Sequence, residues 1–182
     1  MSLLRPRSLM ACVAGAVAIG LALTSCSSGT SGKKREYAVP SSMCGTSMPP
    51  SALEPLLPAG KTISARRSGS PGYARCQVSV DGKVVLSSII ERWSPRTTLT
   101  KVAFGTYGIT AHSVHKEDER YIVADSAAVG HVECAAKRKD GAEVFTVIRT
   151  HHGSVDTAAM EKAISEFTDA AATSKECTEL NT

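Results

Sequence analysis

Ser113-Val-His-Lys116 has the spacing Ser-x-x-Lys. One turn of helix with that spacing sets a hydroxyl beside an amine, and one group of acyl-transferring serine enzymes activates its nucleophile that way. Those enzymes also carry Ser-Asp-Asn and Lys-Thr-Gly elements. Neither tripeptide occurs in this chain, so Ser113 and Lys116 read as parts of a polar loop. His112-x-x-His115, with Glu117 and Asp118 after it, offers imidazole and carboxylate donors for a divalent metal if the segment is helical, but no spacing fixes a third ligand. The remaining histidines are His131 and the pair His151-His152 beside Gly153, read as surface residues at a strand end. Gly105-Thr-Tyr-Gly108 lacks the Lys-Ser/Thr that completes a phosphate loop. Glu117, Asp118 and Glu119 form a charge run with Lys116 and Arg120, read as one solvated face. Two basic clusters, Arg66-Arg67 and Lys137-Arg138-Lys139, are candidates for an anionic ligand, although the second precedes a turn, where charge guards a strand edge. Trp93 reads as core packing. With no catalytic constellation, metal site or cofactor motif, the chain is expected not to be an enzyme.

Thiol chemistry is better marked. Of the six cysteines, Cys12 and Cys26 belong to the N-terminal segment. Residues 9–23 carry no charge and follow Arg5 and Arg7. A spanning helix needs about 20 apolar residues; this run is shorter and suits the apolar region of a secretory signal. Leu23-Thr24-Ser25-Cys26 then resembles the lipobox of bacterial lipoproteins. Sulfur is needed for the thioether to diacylglycerol, and small residues ahead of it fit the signal peptidase. The resemblance implies a signal peptide over 1–25, cleavage before Cys26, and acylation of Cys26. Acyl chains contribute about 0.8 kcal/mol per buried CH₂, and two or more hold a protein on a bilayer. The rival reading is ordinary cleavage and a free secreted protein. In an exported chain, Cys44, Cys76, Cys134 and Cys177 are expected to form two disulfides. Three connectivities are open, and the pairing Cys44–Cys76 with Cys134–Cys177 is favoured. Zinc is disfavoured because no pair has Cys-x-x-Cys spacing.

The elements that must position these residues follow from pattern. The chain has 182 residues with 42% hydrophobic, 21% charged and 4% aromatic content, enough for one aliphatic core. Its 21 basic residues, two of them in the leader, face 17 acidic ones, a balance unlike a nucleic-acid binder. Residues 26–43 lack an apolar period and read as a flexible tether, with Lys33, Lys34 and Arg35 available to anionic head groups. The folded domain is placed at 44–182. Ser51-Ala-Leu-Glu54 has the pattern of a capping box opening a short helix that Pro58 and Gly60 end. Residues 61–72 read as loop. Asp81-Gly82 and Asp140-Gly141 each lie between strand-like runs and suit hairpin turns. In the second, Val132, Cys134, Ala136, Phe145 and Val147 are expected on one core-facing side. Ser94-Pro95 should open a helix to about Phe104, with Gly105 as its stop. Residues 106–120 read as loop and Tyr121-Ile-Val as a strand. Over 155–173, Met160, Ala163, Ile164, Phe167 and Ala171 make a helical stripe behind Ser154 or Asp156 as cap. Laid on the second hairpin, that helix brings Cys177 to Cys134, which favours this pairing. The expected class is α+β: an antiparallel sheet of about four to six strands with the C-terminal helix on one face.

Cys44 ahead of Leu53-Glu-Pro-Leu-Leu-Pro, then Cys76, Cys134 and Cys177, behind a lipobox, resembles a family of small actinobacterial lipoproteins of unknown function. The likeness runs over residues 23–177 and departs in placing Cys177 after the helix rather than at its start. It implies a lipid-anchored protein on the extracytoplasmic side of the cell membrane and supplies no reaction. The expected function is a binding or interaction module. Its expected partners are the bilayer, through acylated Cys26, and an envelope protein or anionic ligand, but not nucleic acid. The alternatives are a small extracytoplasmic hydrolase, or a structural or stress lipoprotein without a specific ligand.

Overall fold

A computed structural model describes residues 34–135 and 140–178. The leader, Cys26, Lys33, Ala136 and the Lys137–Lys139 cluster lie outside the described residues. The chain is tied to the domain from Arg35 onward. The Arg35 guanidinium donates to Glu54 Oε1 at 3.0 Å and to the carbonyls of Glu54 and Leu57 at 2.9 and 2.6 Å. Tyr37 donates its hydroxyl to the Pro58 carbonyl. A two-residue ribbon, β1 (Ser42–Met43) with β2 (Thr46–Ser47), turns through Cys44 and Gly45 at positive φ and buries Met43. The expected tether over 26–43 therefore ends earlier, because Tyr37, Val39 and Met43 pack on the core without any helical or strand period to announce it. The Arg35 charge goes to Glu54 and two carbonyls rather than to head groups.

α1 (Pro50–Leu53) runs into a 3₁₀ turn, Glu54–Leu56, and buries Ala52, Leu53 and Leu56. The capping box does not form. Pro50 supplies the first turn with a preset φ and no amide hydrogen to satisfy, and Ser51 Oγ instead accepts from Lys162 Nζ at 3.1 Å.

The main sheet has seven strands: β3 (Ile63–Ser70), β4 (Tyr73–Val80), β5 (Lys83–Trp93), β6 (Val114–Glu117), β7 (Tyr121–Ala124), β8 (Ala127–His131) and β9 (Glu143–Thr150). Their order is β3-β4-β5-β9-β8-β7-β6, with every neighbouring pair antiparallel. The count exceeds four to six because the edge strands β3 and β6 lie in stretches that read as loops. From Ser64 onward β3 is exposed on both faces and needs no hydrophobic alternation, and β6 is only four residues long with one apolar residue, Val114. Asp81 and Gly82 close β4–β5 at φ 49° and 78°, as two-residue hairpins require.

The second hairpin has a different register from the expected one. Val147 lies opposite Val129 rather than Cys134, and Asp140-Gly141 is a local turn inside a longer connection. The shift is odd, so faces are exchanged. Val132 and Cys134 pack on the helix side of the sheet while Phe145 and Val147 face the other. The expected helix at Ser94-Pro95 also starts later. Residues 94–97 make a turn with Arg96 at φ 63°, and a π-helical turn follows at Lys101–Thr106 with Gly105 inside it.

α2 (Thr157–Ala171) forms as its stripe implies. Asp156 accepts from the Ala159 amide at 3.0 Å, and Met160, Ala163, Ile164, Phe167 and Ala171 are buried. The helix lies over β7, β8 and β9. Beyond it α3 (Lys175–Thr178) carries Cys177. Both bridges have the favoured partners: Cys44–Cys76 ties the β1–β2 ribbon to β4, and Cys134–Cys177 ties the β8–β9 connection to α3. No helix among the described residues is long and apolar enough to cross a membrane.

Candidate functional site: a cationic hollow on the open sheet face

Strand alternation gives the sheet two unequal faces. Cys76, Leu86, Ile90, Val144 and Ile148 point toward α1 and α2. Ile89, Ile122, Val129, Phe145 and Val147 point the other way, where Val102, Ala103 and Ile109 cover part of them and Trp93 packs alongside. The remainder of that second face, over β4, β5 and β9, forms a hollow of about 330 Å³. Its polar lining is Tyr73, Arg75, Ser87, Thr106, Tyr107, Arg149 and His151, and none of its lining residues is acidic.

Each side chain is held by a simple local cause. Ser87 and Arg149 are opposite each other in the β5–β9 ladder, and Arg75 stands opposite Ile89 on the other flank of β5. Arg149 donates to the Tyr107 carbonyl, which pins the guanidinium at the wall built by the π-helical turn. His151 continues β9 by bonding its amide to the Val85 carbonyl at 2.8 Å, and its Nε2 shares a 2.9 Å hydrogen bond with Ser87 Oγ. Ser87 is only 4% exposed. Arg75 Nε is buried with no hydrogen-bond partner among the described residues.

Burial holds the His151 imidazole below its ordinary pKa, and the neighbouring Arg149, Arg75 and His152 charges push the same way. The neutral form of the ring is therefore favoured. Burial also drives the Tyr107 phenol far above its usual range, with the Glu91 carboxylate adding to the effect, so that hydroxyl stays protonated. Glu91 sits buried near Trp93 at the far end of this face, and burial raises its carboxyl above the ordinary range against the opposing pull of Trp93 and Tyr107. The hollow thus gathers two permanent cations, a neutral imidazole and hydroxyl donors, with no carboxylate in its lining. That is an arrangement for receiving negative charge. Ser87 and His151 are close enough to exchange a proton, but among the described residues no carboxylate bonds the ring to orient it as a base.

Compared with protein-family models, with curated proteins and with solved structures, the chain finds no match. The reading of the site therefore rests on its own geometry.

The residues singled out by motif do not converge. Ser113 lies in a 3₁₀ turn and donates to the Thr110 carbonyl at 2.9 Å, whereas Lys116 lies on β6 and pairs with Glu161 and Asp118. The change from helical turn to strand between them separates a pair that only a continuous helix would align. His115 pairs with Asp125, His131 with Glu143 at 2.9 Å, and His152 with the Leu56 carbonyl at 2.9 Å. No group of three His, Cys, Asp or Glu among the described residues is placed to hold a metal ion. Arg66 and Arg67 lie on β3. Arg67 reaches toward Glu176 at 4.0 Å across a second hollow of about 230 Å³ beside the Cys44–Cys76 bridge. That hollow is lined by Arg67, Arg75, Lys175 and Glu176, and the carboxylate in its wall, paired with Arg67, makes it the weaker candidate for an anion. Sequence reasoning missed Arg75, Ser87 and Arg149. One signal for Arg149 was present: it follows Phe145 and Val147 at period two and breaks an otherwise apolar row.

Proposed function

We propose that the protein is a lipid-anchored, extracytoplasmic binding module that takes an anionic ligand in the hollow over β4, β5 and β9. The observation that carries this reading is the convergence of Arg75 and Arg149, from strands on either side of β5, on a cavity with no acidic lining. The anchor rests on the uncharged segment 9–23 and the lipobox ending at Cys26. Two disulfides favour an oxidising compartment. The likeness to small actinobacterial lipoproteins supports the same placement.

Two results are expected. Replacing Arg149 or Arg75 by glutamine should lower anion affinity about tenfold to a hundredfold, the range for losing one charge-assisted hydrogen bond, with an unchanged far-ultraviolet spectrum. Affinity equal to the parent chain in both variants would remove the hollow as the binding site. The anchor is tested separately by cell fractionation. Cys26→Ser should leave the membrane fraction or accumulate unprocessed, and normal maturation with full membrane retention would defeat the acylation argument.

A further inference from the structure

We infer that the anion this hollow receives is a phosphomonoester group. This rests on the anion-binding reading above and names the chemistry of the ligand. The argument is geometric. β5 lies between β4 and β9, and Arg75 is level with Val147, two residues from Arg149, so the backbones carrying the two arginines are about 12 Å apart, two ladder spacings across and two residues along. Arg75 lines the hollow from β4 and Arg149 from β9, on opposite flanks of β5. Ser87 on β5 and His151 just past the end of β9 also line it, joined by their hydrogen bond, while the Tyr107 hydroxyl is taken by Glu91. A carboxylate is planar, presents two oxygens, and is satisfied by a single guanidinium fork. It leaves the second guanidinium, with its unpartnered Arg75 Nε, without an acceptor. A tetrahedral phosphoryl group presents three oxygens in three directions and carries up to two negative charges near neutral pH. It meets donors from both flanks and from the Ser87 end at once. The charges match as well: two fixed cations and no acid in the lining balance a dianion. The groups facing His151 are Arg149 and Arg75 from the sheet, His152 from its own segment and the Ser87 hydroxyl. All are cationic or neutral, and Glu91, which bonds the Tyr107 hydroxyl, lies outside the lining. The volume, about 330 Å³, lies at the small end of ligand-binding hollows, which run to roughly 300–1,000 Å³. That suits a small ester. The ester belongs either to a soluble molecule or to a lipid head group.

The test is isothermal titration calorimetry of the full chain, reconstituted in phosphatidylcholine vesicles, with inorganic phosphate, glycerol 3-phosphate, acetate and succinate. Phosphate and glycerol 3-phosphate should bind at least about tenfold more tightly than either carboxylate, and Arg75→Gln should erase most of that preference. Acetate or succinate matching them would overturn the phosphomonoester assignment and leave the anion-binding reading standing. Absence of heat with every anion would overturn both. Adding phosphatidic acid to the vesicles separates the sources. Competition with glycerol 3-phosphate supports a phosphomonoester on a lipid, and unchanged titration supports one on a soluble molecule.

Discussion

Replacing Gly130 by alanine is expected to lower stability by about 3 kcal/mol, as overpacking and a broken buried hydrogen bond together imply. Gly130 is a buried residue of β8, opposite Thr146 of β9 and beneath α2. A Cβ there would stand 2.2 Å from Thr168 Oγ1 and 2.8 Å from Thr146 Oγ1. Both threonines are fully buried. Thr168 donates its hydroxyl to the Ile164 carbonyl at 2.6 Å, four residues earlier on α2. Its single proton is thereby used, so the 2.6 Å contact between Thr146 and Thr168 must run from the Thr146 hydroxyl to Thr168 Oγ1. The chain Thr146 to Thr168 to Ile164 is the polar stitch between sheet and helix, and the missing side chain at 130 makes room for it. Alanine must either lift α2 or turn Thr168 away and leave the Thr146 hydroxyl only its long 3.4 Å bond to the Gly130 carbonyl. Urea denaturation of Gly130→Ala gives the loss directly. A double-mutant cycle identifies the cause: Thr168→Ala removes the atom that clashes, so the double variant should be less destabilised than the sum of the singles by more than about 0.5 kcal/mol. A Gly130→Ala protein within about 0.5 kcal/mol of the parent, in the range of neutral surface changes, would show that α2 does not approach β8 this closely.

The elements that were legible in the sequence are those whose signal is local. Asp81-Gly82 could be placed because both residues accept positive φ and the turn needs both. α2 could be placed because Met160, Ile164, Phe167 and Ala171 keep a helical period behind the Asp156 cap. Edge strand β3 was not legible, since from Ser64 onward its residues are exposed and Arg66-Arg67 look like any solvated loop. The register of β8 with β9 was misread for a related reason. Asp140-Gly141 carries a strong turn signal, but the ladder begins only at Glu143 and ends at His131, and the intervening residues form a connection. The candidate site was illegible because it is made by register alone. Arg75 and Ser87 come from one hairpin and Arg149 from a strand some sixty residues later, and only Arg149 stands out within its own strand. Ser113 and Lys116 show the converse: proximity in sequence gave them a motif that the change of backbone from 3₁₀ turn to strand dissolves.

Opening the Cys134–Cys177 bridge, by replacing both cysteines with alanine, is expected to lower stability by about 4 kcal/mol. The bridge spans 43 residues, and the loop-entropy relation gives about 4 kcal/mol for a loop of that length. Cys44–Cys76, spanning 32 residues, gives slightly less by the same relation. The effect acts mainly on the unfolded chain, because bridging the ends of the β9–α2 segment removes its open conformations. A domain of this size is stable by about 5–15 kcal/mol, so losing both bridges removes much or all of that margin. Thermal unfolding of the double-alanine variant should fall by roughly 10 °C, at about 2–4 °C per kcal/mol. The native contacts beside the bridge predict where any structural change is confined. The Ala135 amide bonds the Ala172 carbonyl at 3.1 Å, so the β8–β9 connection remains pinned to the end of α2 by one hydrogen bond. The hollow over β4, β5 and β9 has no lining residue in common with this bridge or α3. Anion affinity below the new melting temperature should therefore match the parent. A melting shift of only 1–2 °C, corresponding to well under about 1 kcal/mol, would mean that the segment is already restrained in the unfolded chain. It would also remove the stability argument for an oxidising compartment, because a reduced chain would then fold nearly as well.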